Sequence, residues 1–252
     1  MAKEVGLRLL STARTPVGEN RTDYLTEKLT FNPPPPPKPP EVSSFANLLR
    51  TETVAVRTHN LSFSIHQGLL KTKCPVLYGR LTEPEWEDKE SEYLRIVTSN
   101  DVVSAFMQWI YTDTYPIEKE TQDTDGTSTV TENEPDLGEL TNLLVHHIRV
   151  YVFAGVYQIR PFQSLAYTHI GRIIDTFRWR AQDSTPFIVA TRVALVSLPM
   201  VDPLVGLFLE LIAIRIKDVR KEAGFSELVR HFPDFALRLI DLLEPFDVSS
   251  TW

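Results

Sequence analysis

Apolar side chains recur along this chain first in a mixture of helical and alternating spacings, then in helical spacing alone. Val42, Phe45, Leu48 and Leu49 fall three or four apart or adjacent, as on a short amphipathic helix. Two alternating stretches follow. Val54 and Val56 are separated by a small or polar neighbour, as are Leu61, Phe63 and Ile65. Two strands are therefore expected, with a hairpin turn at Thr58-His59-Asn60. His66 to Leu81 returns to helical spacing through Leu69, Leu70, Val76, Leu77 and Leu81. Pro75 lacks the N–H that a helix interior needs and divides this stretch into two short helices. Residues 82–92 are acidic and loop-like, and Tyr93–Val97 is a short strand candidate. The pattern predicts a helix over 101–111 with Val103, Phe106, Met107 and Ile110 on one face.

The second half is helical throughout. Pro135, Asp136 and Glu139 resemble a capping-box start, and Leu137, Leu140, Leu144, Ile148 and Tyr151 then recur at helical spacing. Pro161 opens another helix with Phe162, Leu165 and Ile173 inward. Thr185-Pro186 and Asp202-Pro203 each place a cap residue before a proline at the first helical position. Leu204, Phe208, Leu211 and Ile212 share one face of the second of these helices. Gly224 and Pro233 punctuate two final short helices, the last carrying Leu239, Leu242 and Leu243 and stopping at Pro245. The expected class is α+β: a small sheet flanked by helices over 41–177, then an all-helical C-terminal extension over 178–252. That extension is expected to pack on the front half, because its apolar faces would otherwise form an oversized exposed patch.

Two segments lack the apolar content for a core. Residues 1–40 are expected to be a disordered tail ending in Pro33–Pro37, Lys38, Pro39 and Pro40, a run that favours an extended polyproline rod. The run reads as a stiff spacer between tail and domain, the alternative being that Pro33-x-x-Pro36-x-Lys38 is a ligand for an aromatic-lined proline-binding groove. Between Asp113 and Asp136 stand eight acids and one base, a net of −7 that equals the net charge of the chain. Only Ile117 and Val130 are aliphatic between Pro116 and Asp136. A solvated, mobile insertion is expected there, with a docking loop for a basic partner as the alternative.

Composition narrows the classes. In 252 residues, Lys and Arg total 26 against 33 Asp and Glu, which argues against broad nucleic-acid binding. A single cysteine cannot form an intrachain disulfide and fits a reducing compartment, hence cytoplasm or nucleus. Lys3, Glu4 and Arg8 interrupt any secretory leader. The most apolar stretch, Leu198–Ile216, carries Asp202, Glu210 and Arg215, so no bilayer span and no membrane partner are expected.

The order of motifs resembles a BTB/POZ domain. Phe63-Ser-Ile-His-Gln-Gly-Leu-Leu-Lys-Thr-Lys-Cys-Pro-Val-Leu, following a helix and a strand, resembles that family's "F-x-V-H-K-x-x-L" strand and its two short helices. Phe106-Met-Gln-Trp-Ile-Tyr-Thr-Asp resembles its "F-x-x-W-h-Y-T-G" helix end. Val150-Tyr-Val-Phe-Ala-Gly-Val-Tyr-Gln-Ile-Arg-Pro-Phe-Gln-Ser-Leu-Ala resembles its helix pair. The blocks cover roughly residues 45–177, and the helical remainder looks most like the BTB proteins of filamentous fungi. Glu52-Thr53-Val54 stands where an Asp is usual, Gln67 replaces the usual Lys, and the acidic stretch is longer than the usual connection.

The resemblance implies protein–protein interaction without catalysis. It implies an adaptor for a cullin-type ubiquitin ligase or, alternatively, a homodimeric scaffold with no ligase link. An enzyme using the helical half is the reading from another class. Leu81-Thr82-Glu83, after Tyr78, fits the family's hydrophobic-x-Glu contact with cullin scaffolds, the alternative being a solvated loop with Leu81 in the core. Phe45, Leu48 and Leu49 match the helix that packs across a family dimer interface, the alternative being a helix that covers its own sheet. No phosphate loop, nucleophile elbow or His-Glu-x-x-His occurs, so no catalytic, cofactor or metal residues are expected. Cys74, before Pro75, reads as a small buried residue. His66 reads as a backbone hydrogen-bonding group at a strand-to-helix junction. His146 and His147 diverge by about 100° on a helix and make a poor metal pair.

Overall fold

A computed structural model describes residues 42–58, 60–80, 93–117, 136–177 and 184–243. The proline-rich segment 1–40, the loop 82–92 and most of the acidic insertion lie outside them.

Helix α1 (Val42–Leu48) leads into strands β1 (Thr53–Arg57) and β2 (Ser62–His66). These pair antiparallel from Thr53↔His66 to Arg57↔Ser62. The turn closes as Thr58 N–H donates to the Leu61 carbonyl over 2.9 Å, while the Thr58 hydroxyl oxygen accepts from Leu61 N–H over 3.0 Å. Strand β3 (Tyr93–Arg95) joins the free edge of β1 in parallel, giving the order β2-β1-β3. It is shorter than the expected 93–97, and Val97 stands outside it with 87% of its surface exposed. Between β2 and β3 lie α2 (Gln67–Lys73) and α3 (Pro75–Gly79), separated at Cys74 as the proline requires.

Helix α4 (Asn100–Thr112) buries Val102, Val103, Ala105, Phe106, Trp109 and Ile110, while Met107 is half-buried. Its apolar arc is wider than the single face expected, because it packs against α2 on one side and α5 (Leu137–Val156) on another. The helix ends on Asp113, whose φ of 60° is the left-handed turn that closes a helix. Lys73 completes this end: its Nζ donates to the orphan Ile110 carbonyl over 2.9 Å and to Asp113 Oδ1 over 2.7 Å. Just beyond it, Tyr115 is 2% exposed and Ile117 half-buried. At the front of the acidic insertion, 113–117, Tyr115 and Ile117 are therefore anchored in the core while Asp113, Thr114 and Pro116 are exposed, because an aromatic or aliphatic side chain gains by burial where its polar neighbours do not.

Helix α5 forms a hairpin with α6 (Arg160–Thr176), and α7 (Thr185–Ser197) packs along α5. Four helices follow: α8 (Pro203–Ile214), α9 (Ile216–Val219), α10 (Ala223–His231) and α11 (Pro233–Leu242). The short α9 carries no sequence signal of its own. One continuous core runs from Val56 and Ile65 in the sheet through Phe106, Leu144 and Ile148 to Phe187 and Phe208. A second core gathers Ile188, Leu209, Ile212, Val219, Leu228, Phe235 and Leu239. Helices α7 and α8 face both, which is why α8 is apolar nearly all round.

Of the caps expected from sequence, one forms. Asp202 accepts from Leu204 N–H over 2.8 Å and from the Tyr151 hydroxyl over 3.0 Å, tying the start of α8 to α5. Asp136 stands at the start of α5 without a side-chain cap, and Ser184 rather than Thr185 occupies the cap position of α7. Among the described residues no helix is long and apolar enough to cross a membrane.

Candidate interaction surface

Phe45, Leu48 and Leu49 on and just after α1 are half-buried against the main core, with Ala46 and Asn47 exposed. The helix is held close by its end. The Thr51 hydroxyl donates to the Leu48 carbonyl over 2.7 Å and accepts from Gly68 N–H over 2.8 Å, in the first turn of α2. A Cβ on Gly68 would stand 3.0 Å from the Leu48 carbonyl oxygen and 3.1 Å from its Cα, so the approach needs glycine. Gly68→Ala is therefore expected to push α1 away and cost about 1–2 kcal/mol. Amide exchange at residues 45–51 should accelerate while that of α5 stays slow. Unchanged protection at 45–51 would show that α1 docks by other contacts.

Tyr78, on α3, is half-buried against the same core, with Lys71 Nζ 6.0 Å from its ring centre. Leu81, Thr82 and Glu83 lie outside the described residues.

Cys74, His147 and His169 are buried, and burial favours their neutral forms. Burial raises the Cys74 thiol to about 12, with Lys73 opposing. His66 Nδ1 lies 2.9 Å from the Tyr111 hydroxyl, so its ring joins β2 to α4 rather than capping backbone. His147, fully buried on α5, meets the Tyr115 hydroxyl through Nδ1 at 3.0 Å and the Ile117 carbonyl through Nε2 at 2.9 Å. A carbonyl can only accept, so Nε2 carries the proton and Nδ1 accepts from tyrosine. Burial, then neighbouring His146 and His169, lowers His147 to about 3, against the carbonyl bond that raises it. His169 on α6, 3% exposed and with Nδ1 unpartnered, is lowered to about 4, by burial first and then by Arg172 and His146.

The sequence marks His146 and His147 only as neighbours. Their real companions, Tyr115 and His169, are distant in sequence, and no local spacing could have indicated them. Among the described residues no group of three or more His, Cys, Asp or Glu could hold a metal ion. What these side chains do chemically is close polar groups inside a core. Apolar side chains remain part-exposed on α1 and at Tyr78, and exposed at Val97, Val156 and Val196.

No family model matches the chain, and no curated protein matches it.

Proposed function

We propose that the chain is a BTB/POZ-like protein–protein interaction module without catalysis, acting as a substrate adaptor for a cullin-type ubiquitin ligase. One observation supports this reading above the others: the three sequence blocks that carry the resemblance meet each other. His66 of the first block bonds Tyr111 of the second. Trp109 of the second stacks on Phe162 of the third at 4.9 Å, and Phe106 meets Phe153 at 5.4 Å. Asp113, standing where the pattern has glycine, adopts the left-handed turn that favours glycine. A second reading, homotypic assembly through α1, is favoured by the part-exposed Phe45, Leu48 and Leu49.

The test pairs Leu81 with Glu83. In an adaptor the leucine fills a partner pocket and the carboxylate meets a partner donor; truncating such an anchor costs over about 2 kcal/mol. Leu81→Asp with Glu83→Ala should abolish capture of a cullin N-terminal domain and leave the melting temperature nearly unchanged. Loss of folding with binding would put Leu81 in the core and leave self-association, read by sedimentation with Leu48→Asp, as the better account.

A further inference from the structure

A groove of about 180 Å³ opens between the loop after β3, the second half of α5 and the end of α7. Its floor is Ile148, Phe153 and Tyr157, all buried. Its walls are valines from three elements: Val97, Val152 with Val156, and Val193. Val97 is 87% exposed and Val156 58%, and Val196, one turn beyond Val193, is 72% exposed. Grouped beside one hole, these branched side chains form an apolar patch, the surface feature that marks interaction sites. The volume suits one side chain of leucine or phenylalanine size.

The rim supplies the second half of the argument. Arg149 lines the groove, is exposed, and has no ion-pair partner among the described residues. Arg80 lies with its guanidinium 5.0 Å from the ring centre of Tyr157, itself a floor residue. An apolar hole edged by arginine fits an apolar anchor followed by a carboxylate, which a planar guanidinium can take through two N–H donors. A basic peptide would instead meet like charge.

We propose that this groove docks a partner peptide, one apolar side chain entering between Val97, Val156 and Val193 and a neighbouring Asp or Glu pairing with Arg149. The site draws on the loop after β3, α5 and α7, and does not rest on the ligase-adaptor reading. Cullin capture and self-association can both fail without touching it.

The probe is an alanine-based helical peptide presenting one Leu with Glu four residues later. Matched peptides carry Lys in place of Glu, or Ala in place of Leu. Binding is followed by fluorescence anisotropy and by valine methyl shifts in the full chain. The Leu/Glu peptide is expected to shift the methyls of Val97, Val156 and Val193. It should bind about tenfold more tightly than either matched peptide. Val156→Asp and Arg149→Glu should each weaken it about tenfold or more, with an unchanged circular dichroism spectrum because both positions are exposed. Arg149→Lys should retain part of the binding. Equal binding of the Lys and Glu peptides, undiminished binding to the Val156→Asp protein, methyl shifts confined to other valines, or no binding at millimolar peptide would each overturn the proposal.

Discussion

Phe106→Ala is expected to remove about 3–5 kcal/mol of folding stability, the largest loss from any single core change discussed. The ring is fully buried where three helices meet. Its centre lies 6.3 Å from that of Trp109, 5.4 Å from Phe153 and 6.1 Å from Phe162. Its removal takes apolar area from water's exclusion and opens a cavity that rigid α4, α5 and α6 cannot collapse into. Against a total of about 5–15 kcal/mol for a typical domain, this is about a fifth of the stability or more. Urea denaturation followed by near-ultraviolet circular dichroism measures this. Phe106→Leu, which keeps most of the volume, should cost distinctly less. Equal stability of the alanine variant and the parent would mean that the aromatic cluster is not the packing centre described above.

Acidification to pH 5 is expected to destabilise the protein by about 2 kcal/mol for each of His147 and His169. Both are lowered from 6.5, to about 3 and about 4, by burial. The unfolded chain therefore binds protons near pH 6.5 that the folded chain refuses. Their contribution is fully present above that pH and is lost progressively as pH falls towards 4 and then 3. Near pH 5 most carboxylates are still ionised, so the histidines can be read apart from them. Denaturation curves at pH 7.5 and pH 5, for the parent and for a His147→Gln, His169→Gln protein, give the answer. The parent should show the difference, and the double variant, less stable at pH 7.5, should show little. A parent whose stability is the same at both pH values would falsify the assignment of these two rings as buried and neutral.

The elements most legible in the sequence were those set by local covalent facts. Pro75 splits α2 from α3, Asp202-Pro203 starts and caps α8, and the alternation of Val54–Val56 and Phe63–Ile65 gives the hairpin. Less legible was anything that depends on what lies opposite. The full apolar arc of α4 reflects packing on two sides, and periodicity shows only that a face exists. Strand β3 ends at Arg95 because β1 ends at Arg57, its partner in register. Of the candidate binding residues, Phe45, Leu48, Leu49 and Tyr78 fall where an exposed edge meets the core, and that compromise is invisible in composition. The valine groove had no signal at all. Its walls come from three separate elements, and each valine reads in sequence as an ordinary core or strand residue.

The bond from His147 to Ile117 has a topological consequence. Ile117 is fastened to the middle of α5, and Asp136 begins the same helix about three turns earlier. The two gateposts of the intervening stretch therefore stand about 16 Å apart along a single rigid rod. The entropy of closing a loop grows only logarithmically with its length, so doubling the number of residues between such fixed posts costs only about 0.6 kcal/mol. The chain can thus carry more or fewer acids between positions 117 and 136 with little effect on the core. The imidazole is what fixes the near post: it sets where the packed chain leaves the core at Ile117, whatever number of residues then leads to Asp136.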